Sequence, residues 1–203
     1  MHWADHTAQT LKERGGKQVC ASGITPSGEF HIGHIREILS AEMIHRACLD
    51  LGLESKYIFI VDSMDPLRRV YDFLSPEYQK YIGVPLAFIP APDGNGNPRE
   101  GGISYAEYFL NPFLSSLEKI GVIPEVVMNH EIYEQGKFAE KIDTAINKKE
   151  EIREIIERIS GRELPQDWFP YSPIGPNGSM DGVKVTDYEK PYVFWIDENG
   201  LEG

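Results

Sequence analysis

The sequence is poor in cysteine and has no long hydrophobic run. Only two of its 203 residues are cysteines, Cys20 and Cys48, and each lies within an apolar segment. This scarcity excludes a small disulfide-rich secreted domain, so we expect two reduced thiols in a cytoplasmic protein. The longest apolar runs are about one strand long, which predicts no membrane-spanning helix. The first residues form no basic and apolar leader, so we expect no secretion signal.

Positive charge is also in short supply. The chain has 20 Lys and Arg against 32 Asp and Glu, which gives a formal net charge of −12. An acidic chain is repelled by phosphate groups, so nonspecific binding of nucleic acid by this segment alone is not expected. A local basic face, or residues outside this sequence, would have to supply any such contact. The apolar fraction of 41% is ordinary for a globular protein with a real core.

The most informative stretch joins a predicted strand to a predicted helix. Residues 17–22 are small and apolar, as in a buried strand, and apolar residues recur at helical spacing from Ile35 to Ala47. The connection reads Thr25-Pro26-Ser27-Gly28-Glu29-Phe30-His31-Ile32-Gly33-His34. A helix start offers unpaired amides and the positive end of its dipole to an anion. The glycines at positions 28 and 33 would let a phosphate or a flat base approach the backbone.

Two interpretations of His31 and His34 are open on the residues alone. A single histidine beside a turn is most often an ordinary surface residue. A pair three residues apart at a helix start can instead face one anion together. We interpret the pair as donors to phosphate oxygens that gain negative charge during a displacement at phosphorus.

The remaining pattern predicts an α/β fold. Further strands are predicted at 56–61 and 122–128, and helices at 3–14, 104–120 and 147–161, with capping boxes opening the last two. We expect residues 81–89 to be extended and Glu154 to pair with Arg158. Strands at 183–186 and 192–196 predict a small antiparallel ribbon. We therefore predict the first half of a Rossmann-like parallel sheet at 1–147 and an inserted helix and ribbon at 148–203.

Acidic and imidazole side chains follow the later strands. Ligands of parallel sheets bind beyond the carboxyl ends of the strands, where Asp62 and Asp65 are predicted to lie. One carboxylate, for which Asp62 is our candidate, could hold the α-ammonium of an amino acid. Alternatively, Asp65 only caps a helix that begins at Pro66. His130 lies in a predicted loop after the third strand and either packs or belongs to the site.

The turn resembles the first signature of class I aminoacyl-tRNA synthetases, which contains His-Ile-Gly-His. The longer string from Ala21 to Gly28 is similar to that of the class I lysyl-tRNA synthetases. The resemblance implies activation of lysine with ATP and Mg²⁺ to lysyl-adenylate, followed by transfer to tRNA(Lys). It implies these roles: catalysis by His31 and His34; ATP binding by Pro26, Ser27, Gly28, Ile32 and Gly33; lysine binding by Gly23, Thr25 and Asp62.

The sequence also departs from that family. It contains no Lys-Met-Ser-Lys-Ser signature and no anticodon-binding domain, so we expect about the first half of a catalytic region and no activity from the chain alone. Gly175-Pro176-Asn177-Gly178 stands where many members have a Cys-x-x-Cys knuckle, so we expect no structural zinc. The alternatives are another class I synthetase or a nucleotidylyltransferase, or a non-catalytic module that binds a nucleotide or a partner.

Overall fold

The computed structural model describes residues 1–203 and contains six α-helices and five strands. In chain order these are α1 (Trp3–Arg14), β1 (Gln18–Ile24), α2 (Ile32–Asp50), β2 (Ser55–Val61), α3 (Tyr105–Lys119), β3 (Glu125–Met128), α4 (Asn129–Glu134), α5 (Ala139–Asn147), α6 (Lys149–Ser160), β4 (Val183–Glu189) and β5 (Tyr192–Asp197). A short 3₁₀-helix spans Pro76–Tyr81.

The principal sheet has three parallel strands in the order β1-β2-β3. Gly23 pairs with Ile60 and Ile24 with Val61, so β1 and β2 end at the same edge. Both crossovers carry a helix, α2 and then α3, as parallel strands require. The predicted Rossmann-like half fold is therefore confirmed, and the turn at 25–34 leaves from the carboxyl edge of the sheet.

A first hydrophobic cluster lies between this sheet and helices α2 and α3. Phe59 at the centre of β2 has no exposed surface. Phe30 of the turn stacks on Phe113 of α3, with ring centroids 4.3 Å apart. The buried members are Cys20, Ile24, Ile38, Tyr57, Phe59, Val61, Leu110, Phe113, Leu117 and Val122. This cluster fixes the sheet against the helix that starts at the turn.

A second hydrophobic cluster lies under the long connection between β2 and α3. Its buried members are Leu67, Leu74, Tyr78, Val84, Leu86, Ile89, Tyr105, Ala106 and Phe109. The connection therefore packs as an ordered layer, although it contains little regular structure. Residues 81–89 were predicted to be extended, which is wrong: turns and single backbone pairings such as Pro66 with Pro85 replace a strand.

Three local predictions fail at element boundaries. No helix begins at Pro66, because this residue enters a turn that pairs with Pro85. His130 lies in the short helix α4, where a loop was expected. Asn147 ends α5 instead of capping the next helix, and α6 starts after Lys148 without a side-chain cap. A helix at 139–147 had not been predicted, although Ile142 and Ile146 recur at helical spacing, because the segment is only nine residues long.

The C-terminal region is held mainly by polar contacts. The antiparallel ribbon of β4 and β5 is confirmed, and Lys190 of its hairpin pairs with Asp143 of α5 at 2.8 Å. In α6, Arg153 pairs with Glu157 at 3.4 Å, so the predicted pairing of Glu154 with Arg158 is wrong. The division of the chain at 147/148 remains a prediction. None of the helices is both long and apolar enough to cross a membrane.

Candidate functional site

The two histidines of the turn form a reciprocal cap at the start of α2. The His31 side chain accepts a hydrogen bond through Nδ1 from the Gly33 amide at 3.1 Å. The His31 amide donates to Nδ1 of His34 at 2.9 Å. The two rings lie 4.0 Å apart between centroids, at an angle of 43°. Each ring is therefore held by a backbone amide of the turn, and the joint action of the pair on one anion stays a prediction.

This cap defines which ring nitrogen carries the proton. A backbone N–H can only donate, so Nδ1 of each histidine must be an acceptor. The neutral ring then carries its proton on Nε2. Both imidazoles therefore offer one Nε2–H donor each, and neither needs a positive charge to bind an anion.

The electrostatic surroundings keep His34 neutral. Burial, followed by the neighbouring His31, lowers the pKa of His34 below its ordinary value, while the Glu37 carboxylate opposes this shift. A neutral His34 at physiological pH agrees with the acceptor role of its Nδ1. In this form the ring can donate one hydrogen bond through Nε2 without carrying a charge.

The glycines of the turn have different roles. A Cβ atom at Gly33 would lie 2.8 Å from Cε1 of His31, so the missing side chain makes room for this imidazole. At Gly28 a Cβ atom would lie 3.4 Å from the Phe73 ring, which is a close but ordinary contact. We had expected both glycines to make room for the nucleotide. For Gly33, the space is filled by the catalytic candidate itself.

The other predicted nucleotide-binding residues differ in exposure. Pro26 is fully buried, two residues after the end of β1. The Ser27 carbonyl accepts a hydrogen bond from the Tyr105 hydroxyl at 2.7 Å. Ile32, the first residue of α2, is 78% exposed, which is unusual for so large an apolar side chain. It is available to contact a ligand or another part of the protein.

Several of these residues line one cavity of about 790 Å³. The predicted site residues among its walls are Thr25, Ser27, Gly28, His31 and His34. Tyr71, Phe73 and Tyr108 contribute aromatic side chains to its lining, and residues 93–96 also line it. This volume lies within the range of small-molecule sites. Gly23, Pro26, Ile32, Gly33 and Asp62 are not part of its lining.

The predicted amino-acid ligands lie beside this cavity, at the ends of β1 and β2. A Cβ atom at Gly23 would lie 3.7 Å from Oδ2 of Asp62, so these two residues are neighbours. Asp62 accepts a hydrogen bond through Oδ1 from the Asn129 amide at 2.7 Å. Burial, followed by the negative charge of Asp65, raises the pKa of Asp62, and the bond from Asn129 opposes this rise. A cationic ligand would favour the ionised carboxylate.

Thr25 and Asp65 connect the two parts of the site. The Thr25 hydroxyl donates to Oδ2 of Asp65 at 2.5 Å. Thr25 lines the first cavity, and Asp65 lines a second cavity of about 500 Å³ that also contains Asn129, His130 and Tyr133. Asp65 is therefore a partner of Thr25 in the folded chain and caps no helix.

His130 is tied to the end of β2. Its Nδ1 lies 2.9 Å from the hydroxyl of Ser63, and its amide donates to the same oxygen at 3.2 Å. Ser63 has no exposed surface. The packing interpretation of His130 is supported by these bonds, and its ring also lines the second cavity.

Sequence reasoning missed three residues of this region. Glu37 accepts a hydrogen bond from the Gly23 amide at 3.2 Å and adds a negative charge near Asp62 and His34. Asn129 orients Asp62, and Ser63 holds His130. Glu37 follows His34 by three residues on one helix face, which was a readable signal. Asn129 and Ser63 gave no signal, because their roles depend on the pairing of β2 with β3.

The chain contains no group of three or more His, Cys, Asp or Glu side chains arranged as metal ligands. The turn at 93–97 is held by the side chain of Asp93. Its Oδ1 accepts the amides of Asn95 and Asn97, both at 2.8 Å.

The fold and the paired histidines define a class of protein: a Rossmann-like nucleotide-binding domain with a histidine-bearing turn after its first strand. The family model described as tRNA synthetases class I (K) matches residues 1–203. The chain belongs to this family, as its signature turn predicted.

The chain is similar to several curated lysine–tRNA ligases. It is 40% identical to the lysine–tRNA ligase of Archaeoglobus fulgidus, over 100% of this chain and 40% of that protein. It is 42% identical to lysine–tRNA ligase 1 of Methanosarcina acetivorans, over 93% of this chain and 34% of that protein. It is 39% identical to the lysine–tRNA ligase of Picrophilus torridus, over 100% of this chain and 38% of that protein. The resemblance to lysyl-tRNA synthetases is confirmed, and the chain spans about two fifths or less of these relatives.

Proposed function

We propose that the full-length protein containing this chain is a lysine–tRNA ligase, and that this chain supplies the phosphate-side half of its adenylation site. The observation that carries the proposal is the reciprocal cap of His31 and His34, which leaves two Nε2–H donors at one cavity. The kinship with lysine–tRNA ligases supports lysine as the amino acid. ATP is the second substrate, and Mg²⁺ accompanies its triphosphate.

The phosphate end of the reaction is assigned to the turn. His31 and His34 donate to non-bridging oxygens of the α-phosphate, and these bonds strengthen as negative charge builds up there. Neutral donors suit this role, because their alignment is fixed before the substrate arrives. The remaining nucleotide contacts are assigned to Pro26, Ser27, Gly28, Ile32 and Gly33. For Gly33 the assignment concerns its backbone, since its side-chain space holds the His31 ring.

The lysine end is assigned to Gly23, Thr25 and Asp62. Asp62 binds the α-ammonium, and Asn129 keeps its carboxylate in one orientation. Gly23 leaves the approach to this carboxylate open, and Thr25 lies between the two subsites. Binding of the ammonium offsets the raised pKa of Asp62, so the ionised form is recovered in the complex.

The chemistry needs no covalent protein intermediate. A carboxylate oxygen of lysine attacks the α-phosphorus in line with the departing pyrophosphate, which forms lysyl-adenylate. The protein aligns the two substrates and stabilises the charge on phosphorus. The Lys-Met-Ser-Lys-Ser signature and the anticodon-binding domain are assigned to the part of the protein outside this sequence. The ribbon at 183–197 is assigned to an inserted region, and the cytoplasm is the proposed compartment.

The test is amino-acid-dependent exchange of pyrophosphate into ATP by the full-length protein, with each amino acid in turn. We expect exchange with lysine alone. Exchange with a different amino acid would favour another class I synthetase, and nucleotide binding without any exchange would favour a non-catalytic module.

The isolated 203-residue chain provides a second arm of the same test. We expect no exchange and no charging of tRNA(Lys). The chain contains the His-Ile-Gly-His turn for one side of the triphosphate but not the Lys-Met-Ser-Lys-Ser signature for the other side, and its net charge of −12 opposes tRNA binding. Turnover by the isolated chain comparable to that of the full-length protein would show that the reaction needs fewer residues than we assign.

A further inference from the structure

The segment between Pro26 and Phe30 has few restraints of its own. Within it, the Ser27 amide donates to the Thr25 carbonyl at 2.9 Å, a bond that stays inside the turn. The one hydrogen bond that reaches this segment from elsewhere in the chain comes from Tyr105, whose hydroxyl donates to the Ser27 carbonyl at 2.7 Å. The other restraints are the burial of Pro26, the ring contact of Phe73 at Gly28, and the ring contacts of Phe30 with Phe113 and His34.

Tyr105 is itself rigidly held. It is the first residue of α3, behind the capping box of Ser104 and Glu107. Its amide donates to the Ile89 carbonyl at 2.9 Å, and its side chain has no exposed surface. Burial raises the pKa of its hydroxyl, so the group stays protonated and acts as a donor. The second hydrophobic cluster thus holds the Tyr105 hydroxyl in place as a hydrogen-bond donor to the turn.

We propose that Tyr105 is a positioning residue of the adenylation site. Its hydroxyl fixes the Ser27 carbonyl and so the course of the backbone through Gly28 towards the His31 cap. Tyr105 does not line the cavity and has no assigned contact with substrate. The inference rests on the proposed function for its kinetic consequence, whereas its structural consequence concerns the turn alone.

The chain offers a matched control in Tyr78. This residue is also a fully buried tyrosine of the second cluster, and its hydroxyl donates to a single backbone carbonyl, that of Pro90, at 2.9 Å. Its ring lies 6.0 Å from that of Tyr105. Replacing either tyrosine by phenylalanine removes one hydroxyl from the same cluster. Of these two hydroxyls, only that of Tyr105 bonds to the turn, so only its loss should loosen the turn.

The first measurement is amide hydrogen exchange, in the 203-residue chain, of the hydrogen-bonded amides of the turn, which are those of Ser27, His31, Gly33 and His34. Tyr105→Phe is expected to speed exchange in this turn about tenfold, which corresponds to the loss of roughly one hydrogen bond. Tyr78→Phe should leave the turn unchanged while producing a similar fall in the melting temperature. Equal exchange in the two variants would overturn the proposal, whatever the protein does with ATP.

The second measurement is the steady-state kinetics of pyrophosphate exchange by the full-length protein. Tyr105→Phe should lower kcat/KM for ATP about tenfold and leave the KM for lysine within about twofold. The reason is that the substitution loosens the turn assigned to the phosphates and not the residues assigned to lysine. Tyr78→Phe should change neither. A wild-type protein without exchange would refute the proposed function, and the hydrogen-exchange result would still decide the role of Tyr105. A fall in kcat/KM shared equally by both variants would reduce Tyr105 to a structural residue.

Discussion

The region around the sheet and the C-terminal ribbon are built in different ways. The sheet region buries ten side chains in its first cluster, and every predicted site residue lies at or next to its carboxyl edge. By contrast, α6, β4 and β5 contain no buried residue and rely on ion pairs at the surface. The difference teaches that the site is placed by apolar packing, whereas the ribbon is attached by contacts that water and salt weaken.

The largest expected effect comes from emptying the core of the sheet region. Phe59→Ala removes a ring that has no exposed surface and packs edge-on against Phe113. We expect a loss of about 3–5 kcal/mol in the free energy of unfolding, from lost burial and the cavity that remains. Urea denaturation followed by circular dichroism measures it. Trp195→Ala in the partly exposed ribbon is the control, and an equal loss there would erase the contrast between the two regions.

The next effect concerns chemistry at the turn. His34→Ala removes one Nε2–H donor and also the acceptor of the His31 amide. We expect adenylation by the full-length protein to slow about a hundredfold or more, with much smaller changes in lysine and ATP affinity. Single-turnover formation of adenylate gives the rate. His6→Ala, at an exposed position on α1, is the control, and a His34 variant within a few-fold of wild type would remove His34 from the mechanism.

A smaller effect is expected at Asp62, where one substitution should weaken lysine binding and at the same time stabilise the fold. Asp62→Asn keeps the bond from Asn129 but removes the charge, so the KM for lysine should rise about tenfold. Because the pKa of Asp62 is raised in the folded chain, its ionised form destabilises the fold at neutral pH. This penalty shrinks as pH falls below the raised pKa of the folded state and is gone below the ordinary pKa of an aspartate.

The variant should therefore melt at a higher temperature than wild type at pH 7, and this gain should shrink in acid. Thermal unfolding of the chain between pH 3 and pH 7 checks the stability part, and steady-state kinetics of the full-length protein check the binding part. A variant that is less stable at pH 7 would show that the carboxylate is needed for folding rather than for lysine.

The smallest effect is expected in the ribbon. Lys190→Met breaks the exposed ion pair with Asp143, whose pKa is held below its usual range by Lys190 and Tyr188. Exposed ion pairs contribute little to stability, and salt weakens them further. We expect a small fall in melting temperature that vanishes in high salt. A fall as large as that of Phe59→Ala would mean that the ribbon supports the sheet.

The sequence predicted the sheet region better than the rest of the chain. Strand β1, the turn and helix α2 were readable because apolar spacing, glycine and a helix start agree there. The 81–89 segment was misread, because its apolar residues pack around Tyr78 and Tyr105 without any strand partner. The choice between capping and binding at Asp65 also depended on a contact 40 residues away, with Thr25. No local pattern encodes such a contact.

The roles of the two site glycines show the same limit. Sequence alone indicated that positions 28 and 33 need open space near the backbone. Which group fills that space depends on side-chain rotamers, and at Gly33 it is the ring of His31. The reciprocal histidine cap was likewise invisible, since the residue types allow either ring nitrogen to accept.

The most direct test of the account is the side-chain nitrogen NMR spectrum of the histidines in this chain at about pH 8, where unperturbed imidazoles are neutral. The account predicts that His31 and His34 each carry their proton on Nε2, with Nδ1 accepting a backbone amide. Exposed His6 provides a reference without such a restraint. A proton on Nδ1 of either His31 or His34 would contradict the reciprocal cap, and with it the pair of donors on which the proposed adenylation site depends.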